Sequence, residues 1–238
     1  MSSPVAVLFE RLQGLLSAKN EFHVFFDDRT RAAILAGLLR NYYTHISDRP
    51  VVFDTSRMWS AKVPAIATLF PESKIICCVR DVPEIINSVE NLVLKNALQP
   101  SSMFNFDPGG NVYIRTDLLM SANGMIGAAY NALKGAFYGP HVEQMLLITY
   151  ESLTKNTEQT LARLYAFLGE TPFDHDLSDV AYEATDFDAA IGTPGLHTVR
   201  AAVSYRPPEF IIPPDLVQKH AGSSFWRDAA APGRPVVI

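Results

Sequence analysis

"KIICCVRDVPEIINSVENLV", Lys74 to Val93, decides the fold. Six mostly apolar residues run up to Arg80, and a helical pattern starts at Asp81. A short apolar run without alternation predicts a strand covered on both faces, Ser73 to Arg80, as parallel sheets require. Asp81 with Glu84 three residues on has the spacing of a capping box. In an open parallel sheet, ligands bind at the C-terminal strand ends, where the following helices present their N-termini. Arg80 stands at such an end. Ser88 falls on a stripe with Ile85 and Leu92, so its hydroxyl is expected to face inward and to need a partner. A guanidinium is a permanently charged planar fork suited to phosphate. An anion held by Arg80, Ser88 and nearby backbone amides would satisfy both side chains. The competing reading pairs Arg80 with Asp81 or another carboxylate and lets Ser88 bond back to the Glu84 carbonyl.

Outward from this stretch, helices and strands alternate. Ser2 to Ala18 has the apolar stripe Val5, Leu8, Leu12, Leu15 and Leu16, with Ser3 before Pro4 as cap and first-turn residue. Asp27 and Asp28 begin a second helix to about Ile46. "RPVVFDTS", Arg49 to Ser56, predicts a short buried strand, and "AKVPAIATLF" a short helix after it. Gln99 to Arg115 reads as an irregular, aromatic-studded loop suited to a lid or substrate contact. A single long helix is expected from Asp117 to Phe137, a third strand from Gln144 to Tyr150, and a helix ending at Gly169. Alternating strands and helices mean an α/β fold of three layers around a central parallel sheet. Residues 1–238 are expected to form one domain, with about 172–238 folding over it as an appendage.

The 238 residues are 48% apolar and 19% charged, with a net charge of −5, so nothing in the balance favours nucleic acid or an anionic membrane. No apolar run reaches the ~20 residues of a membrane span. The N-terminus carries Glu10 and Arg11 within its apolar stretch and lacks a basic n-region, so it does not read as a signal peptide. Cys77 and Cys78, adjacent in a strand, read as small buried hydrophobes in a reducing compartment, with the cytoplasm as the expectation. The six histidines are scattered, and no metal site is expected.

The Arg80–Ser88 segment resembles the 3′-phosphate-binding motif of sulfotransferases that use 3′-phosphoadenosine 5′-phosphosulfate: a strand, Arg-Asp-x-Pro, then a serine on the next helix. "FDTSRMW" is similar to that family's strand and loop near the transferred sulfuryl group. "ITYESLTKNTEQTLARLYAFLG" is similar to its "YEDL…TL..L..FLG" stretch, and "GLHTVR" with "SSFW" resembles the C-terminal segment of bacterial members. The resemblance implies a P-loop NTPase-like sulfotransferase fold and the sulfuryl donor as co-substrate, with no metal. It makes Arg80 and Ser88 ligands of the 3′-phosphate, Tyr150 an adenine contact and Arg200 a second cationic contact. Arg57 lies where the family often has a lysine or histidine near the sulfuryl group, and Asp54 is a candidate base or substrate-orienting residue. Read without the family, Tyr150 is ordinary amphipathic packing, Arg200 is solvated and Asp54 is a turn residue.

The resemblance further implies an N-terminal strand and a Pro-Arg-Ser-Gly-Ser/Thr-Thr loop around the 5′-phosphosulfate. "MSSPVAVLFERL" is instead similar to the helix that follows that loop, so the fold reads as N-terminally incomplete. A start at an internal methionine of a longer protein is favoured over true loss. "FDPGGN" and "GTPGLHT" are read as turns rather than substitutes. Three functions follow: a sulfotransferase acting on a hydroxyl or amine of a small-molecule or peptide acceptor, a non-catalytic nucleotide-binding relative, or a nucleotide or sugar kinase. The absence of Gly-Lys-Ser/Thr disfavours the last. His197 is a further candidate base. Phe104, Phe106 and Tyr113 are candidates for an apolar acceptor wall, with packing against the neighbouring helix as the alternative.

Overall fold

In a computed structural model, residues 3–17, 21–99, 101–104, 110–228 and 233–238 are described. The chain forms two compact units, residues 1–73 and 74–238.

The first unit is helical. α1 (Pro4–Leu15) starts where the sequence predicts, with Ser3 Oγ accepting from the Val5 N–H and Pro4 in the first turn. α2 (Asp28–Ile46) is capped by Asp27, which accepts from the Thr30 N–H at 2.7 Å. A 3₁₀ turn (Arg57–Lys62) leads into α3 (Val63–Leu69). Val5, Phe9, Leu35 and Leu39 form the core of this unit, with Trp59 and Ile66 packed against it. The strand expected over Arg49 to Ser56 is not formed, and Val51, Val52 and Phe53 are exposed. β-prone residues supply only propensity, whereas a strand needs a partner for its N–H and C=O groups. Among the described residues no strand pairs with 49–56.

The second unit carries the sheet. β1 (Ile75–Val79) and β2 (Met145–Thr149) pair in parallel, with Val79 opposite Thr149. β3 (Val236–Val237) pairs in parallel with β2 through Leu146 and Leu147, giving the order β1-β2-β3. Ile238 extends this ladder: its N–H donates to Leu147 O at 2.9 Å, and its carbonyl accepts from Thr149 N–H at 2.7 Å. β2 is central, and Met145 to Ile148 are all buried. β1 lies at an edge. Cys77 is buried as expected, but Cys78, pointing to the opposite face of β1, is exposed.

α4 (Val82–Lys95) follows β1 directly. Its Val82, Ile86 and Val89 pack with Phe104, Leu119, Ile126 and Leu216 in one apolar cluster. The long helix expected over 117–137 is two: α5 (Val112–Met120) and α6 (Met125–Phe137). The break is steric. A Cβ on Gly124 would lie 2.1 Å from Leu118 O, and one on Gly127 would lie 2.1 Å from Ser121 O, so the corner closes only over glycine backbone. α7 (Tyr150–Lys155) and α8 (Thr157–Leu168) follow β2, and α8 ends on Gly169 at φ 77°, as the sequence predicts. α9 (Thr185–Ala190) and α10 (Pro214–His220) lie in the C-terminal stretch. Among the described residues no helix is long and apolar enough to cross a membrane.

Candidate functional site

The parallel register sets Val79 opposite Thr149, so the next residues, Arg80 and Tyr150, emerge side by side at the strand tips. The Arg80 guanidinium carbon sits 4.2 Å from the Tyr150 ring centroid, within cation–π range. Arg80 Nε donates to Glu84 Oε2 at 2.7 Å. Among the described residues no hydrogen bond engages Nη1 or Nη2. Tyr150 in turn neighbours Tyr205 at 6.2 Å, and Lys155 Nζ lies 3.9 Å over the Tyr205 ring. A row of cation, ring, ring, cation therefore runs away from the end of β1.

The capping box is not formed. Asp81 makes no side-chain cap, and Glu84 turns to Arg80 instead of back to Asp81. Asp81 holds the C-terminal segment: its Oδ1 accepts from Ser224 Oγ at 2.5 Å, and Arg227 Nη2 donates to both of its oxygens at 2.9 and 2.8 Å. These bonds raise the Arg227 pKa further above its ordinary value. Asp81, Glu84 and Glu151 each bring a carboxylate oxygen within 4.8 Å of the others. Guanidinium groups already compensate the first two, so this acidic cluster is accounted for as part of an ion network.

Ser88 is exposed, which corrects its inward placement. The buried arc of α4 runs through Val82, Ile86, Val89 and Glu90, and Ser88 falls outside it. It lies one turn beyond Glu84 on the helix axis, about 6 Å further on. Arg200 is exposed as well. Its chain is anchored at two ends. Asn96 Nδ2 donates to Pro194 O at 3.1 Å at the far end of α4, and Tyr205 meets Tyr150 at the strand tips. Residues 194–205 therefore lead from the last turn of α4 back to the end of β2, with Arg200 midway.

Along this path lies an Asp–His pair that spacing alone did not reveal. Asp188, 1% exposed, accepts from the His197 N–H at 2.9 Å and bonds His197 Nδ1 at 2.5 Å. Burial pushes the Asp188 carboxyl up, but hydrogen bonds from the His197 backbone and ring and from the Gly195 N–H outweigh it, and the net shift is downward. The pair fixes the ring through Nδ1 and presents Nε2. "GTPGLHT" is a turn as read, with Gly192 and Gly195 at φ 69° and 84°. A cavity of about 120 Å³ lies nearby, lined by Leu92, Asn96, Ser101, Phe104, Arg115 and Thr193. Arg115 is bound there to Glu90 by two nitrogens.

The remaining candidates are placed as follows. Asp54, in the first unit, accepts from Tyr43 Oη and Trp59 Nε1, both at 2.5 Å, so both oxygens are engaged within that unit. Burial, then the Asp54 bond, raises the Tyr43 pKa well above the ordinary tyrosine value. Arg57, also in the first unit, is exposed at the surface even though partial desolvation lowers its pKa; a guanidinium keeps its charge under such a shift. Phe104 is buried in the core, which supports packing over an acceptor wall. Tyr113 is exposed and donates to Asp215 at 3.2 Å. Phe106 and most of "FDPGGN" lie outside the described residues. The signals for the missed contacts were present: Glu84 stands four residues after Arg80, the spacing of a helical ion pair, and "SSFWRD" carries both partners of Asp81.

A family model described as the sulfotransferase family matches residues 15–175, more than half of the chain and parts of both units. No curated protein gives a significant match.

Proposed function

The chain belongs to the sulfotransferase family, and from that premise we propose that it transfers a sulfuryl group from 3′-phosphoadenosine 5′-phosphosulfate to a hydroxyl or amine of a small-molecule or peptide acceptor. The observation that carries this reading is the Arg80 guanidinium, fixed at the tip of β1 with both terminal nitrogens without a hydrogen-bond partner among the described residues. A phosphate monoester matches that fork, and the exposed hydroxyl of Ser88 and the guanidinium of Arg200 are suited to complete its shell. Tyr150 carries Arg80 on one ring face, and the rest of its ring is suited to an adenine contact beside it.

The donor, when bound, supplies an activated sulfuryl group. What the chain supplies is a positioned cation, a neighbouring hydroxyl and a pair of aromatic rings, and catalysis by such groups is orientation together with charge stabilisation. The residues fit the phosphate-monoester end of the donor. Neither strand-to-helix junction at these tips, Arg80-Asp81 or Thr149-Tyr150, contains a glycine, so neither resembles a loop that cradles a phosphosulfate in backbone amides. That observation, together with the full engagement of Asp54, favours as second reading a family member that binds the nucleotide without passing sulfate.

Thermal shift with 3′-phosphoadenosine 5′-phosphate tests the pocket. The nucleotide is expected to raise the melting temperature of the wild-type chain. Arg80→Ala is expected to remove the shift, because loss of a charge-assisted bond costs about 1.5–3 kcal/mol, or roughly 10- to 100-fold in affinity. An undiminished shift in Arg80→Ala sinks the assignment. Radiolabelled sulfate transfer to a phenol and amine panel then separates the two readings.

A further inference from the structure

Glu84 is a carboxylate beside the residue that is to receive an anion, and charge alone would place a neutral or basic residue there. Its side chain is 10% exposed, and it takes the Nε–H of Arg80 at 2.7 Å. Tyr150 covers the guanidinium at 4.2 Å. A guanidinium has one N–H on Nε and four on the two Nη atoms. With Nε committed and one face covered, what remains is the Nη edge, the edge that matches two oxygens of one phosphate. The other nearby acids do not compete for this task. Asp81 is engaged by Ser224 and Arg227, and Glu151 lies in the field of Arg227.

We propose that Glu84 is a positioning residue: by holding Nε it locks Arg80 into a fork aimed at the 3′-phosphate of the nucleotide, and it thereby sets the preference for nucleotides that carry that phosphate. This rests on Arg80 as the phosphate ligand. The carboxylate repels the incoming anion, but it also spares the side chain the loss of rotamer freedom on binding, the usual gain from preorganisation. The same geometry predicts that Arg80→Lys fails despite keeping the charge, since an ammonium has no second nitrogen to hand to Glu84.

The test uses charge-matched substitutions on the full chain. Glu84→Gln keeps an acceptor oxygen for Nε, whereas Glu84→Met and Glu84→Ala do not; all three remove the same negative charge. Affinities for 3′-phosphoadenosine 5′-phosphate and for adenosine 5′-phosphate are measured by calorimetry, with circular dichroism to establish folding. Glu84→Gln is expected to bind the 3′-phosphorylated nucleotide at least as well as wild type, and about 10-fold tighter than Glu84→Met or Glu84→Ala, a gap of roughly 1.4 kcal/mol. Adenosine 5′-phosphate, which lacks the 3′ group, is expected to bind all three within about twofold, since preorganisation toward one phosphate leaves the rest of the contact unchanged. Equal affinity of the Gln and Met variants for the 3′-phosphorylated nucleotide overturns the proposal, as does a parallel loss of both nucleotides. Arg80→Ala keeps the two levels apart. If it binds like wild type, the reading of Arg80 itself fails; if it loses binding while the Glu84 variants are equivalent, only the positioning role fails.

Discussion

Arg80 shows how far a single residue can be read. Its place at a strand tip followed from an apolar run ending in a charge, and the parallel register then brought Tyr150 beside it. Its partner was a matter of distance rather than pattern. Glu84 fits a capping box and an i,i+4 ion pair equally well by spacing, and the bond it accepts from Arg80 Nε decides between them. Ser88 was misplaced because a stripe through Ile85 and Leu92 runs along the half-buried flank of α4, one step from its buried arc. The pairing of His197 with Asp188 is not legible in the sequence because the two stand nine positions apart, one in α9 and one beyond it, and the turn at Gly192 to Gly195 brings them together. Another histidine carries a consequence at this scale. His220 is 8% exposed, and among the described residues its Nε2 has no hydrogen-bond partner. Burial, then the nearby Lys219 charge, lowers its pKa. The unfolded chain therefore binds a proton more readily than the fold, and His220 contributes stability above its ordinary value of about 6.5 that is lost as pH falls through the lower folded value. Urea midpoints measured from pH 7.5 to 5 should decline, and His220→Phe should flatten that decline. An identical slope in the variant would exclude His220 as its source.

The elements divide by what fixes them. α1, α2 and α8 start and stop on local chemistry: Ser3 with Pro4, Asp27, and Gly169 in the left-handed region. Such signals are legible in sequence because the capping residue and the group it satisfies are neighbours in the chain. The extended stretch 49–56 and the strand 236–237 show the opposite case. The first has β-prone residues and no strand partner among the described residues, while the second is two residues that become a strand because β2 offers an edge. The corner between α5 and α6 depends on contacts between backbones, which a hydrophobic pattern cannot register. Gly127→Ala should cost about 3 kcal/mol through overpacking, whereas Gly135→Ala, in the interior of α6 with nothing within 4 Å of the added Cβ, should gain about 0.5–1 kcal/mol. Chemical denaturation of both variants checks the contrast, and a neutral Gly127→Ala would mean that the corner opens without cost.

At the scale of the molecule, the last residues of the chain return to the centre of the second unit. Ile238 is 7% exposed, packs with Leu146 and Ile148, and bonds the backbone on both sides of Ile148. Removing residues 234–238 takes away that packing and leaves β2 with a bare edge, so stability should fall by about 2 kcal/mol or more from the lost apolar burial alone. Denaturant midpoints and light scattering should report lower stability and more self-association. The opposite side of the sheet has a consequence of another kind. The chain holds two thiols, and the arrangement of β1 seals Cys77 while leaving Cys78 at the surface two residues before Arg80. Partial desolvation raises the Cys78 pKa, so alkylation of the native protein should be slow at neutral pH and quicken as the solution is made alkaline. A fluorophore attached at that one accessible sulfur would sit next to the strand tip, making the native protein its own optical gauge of nucleotide capture.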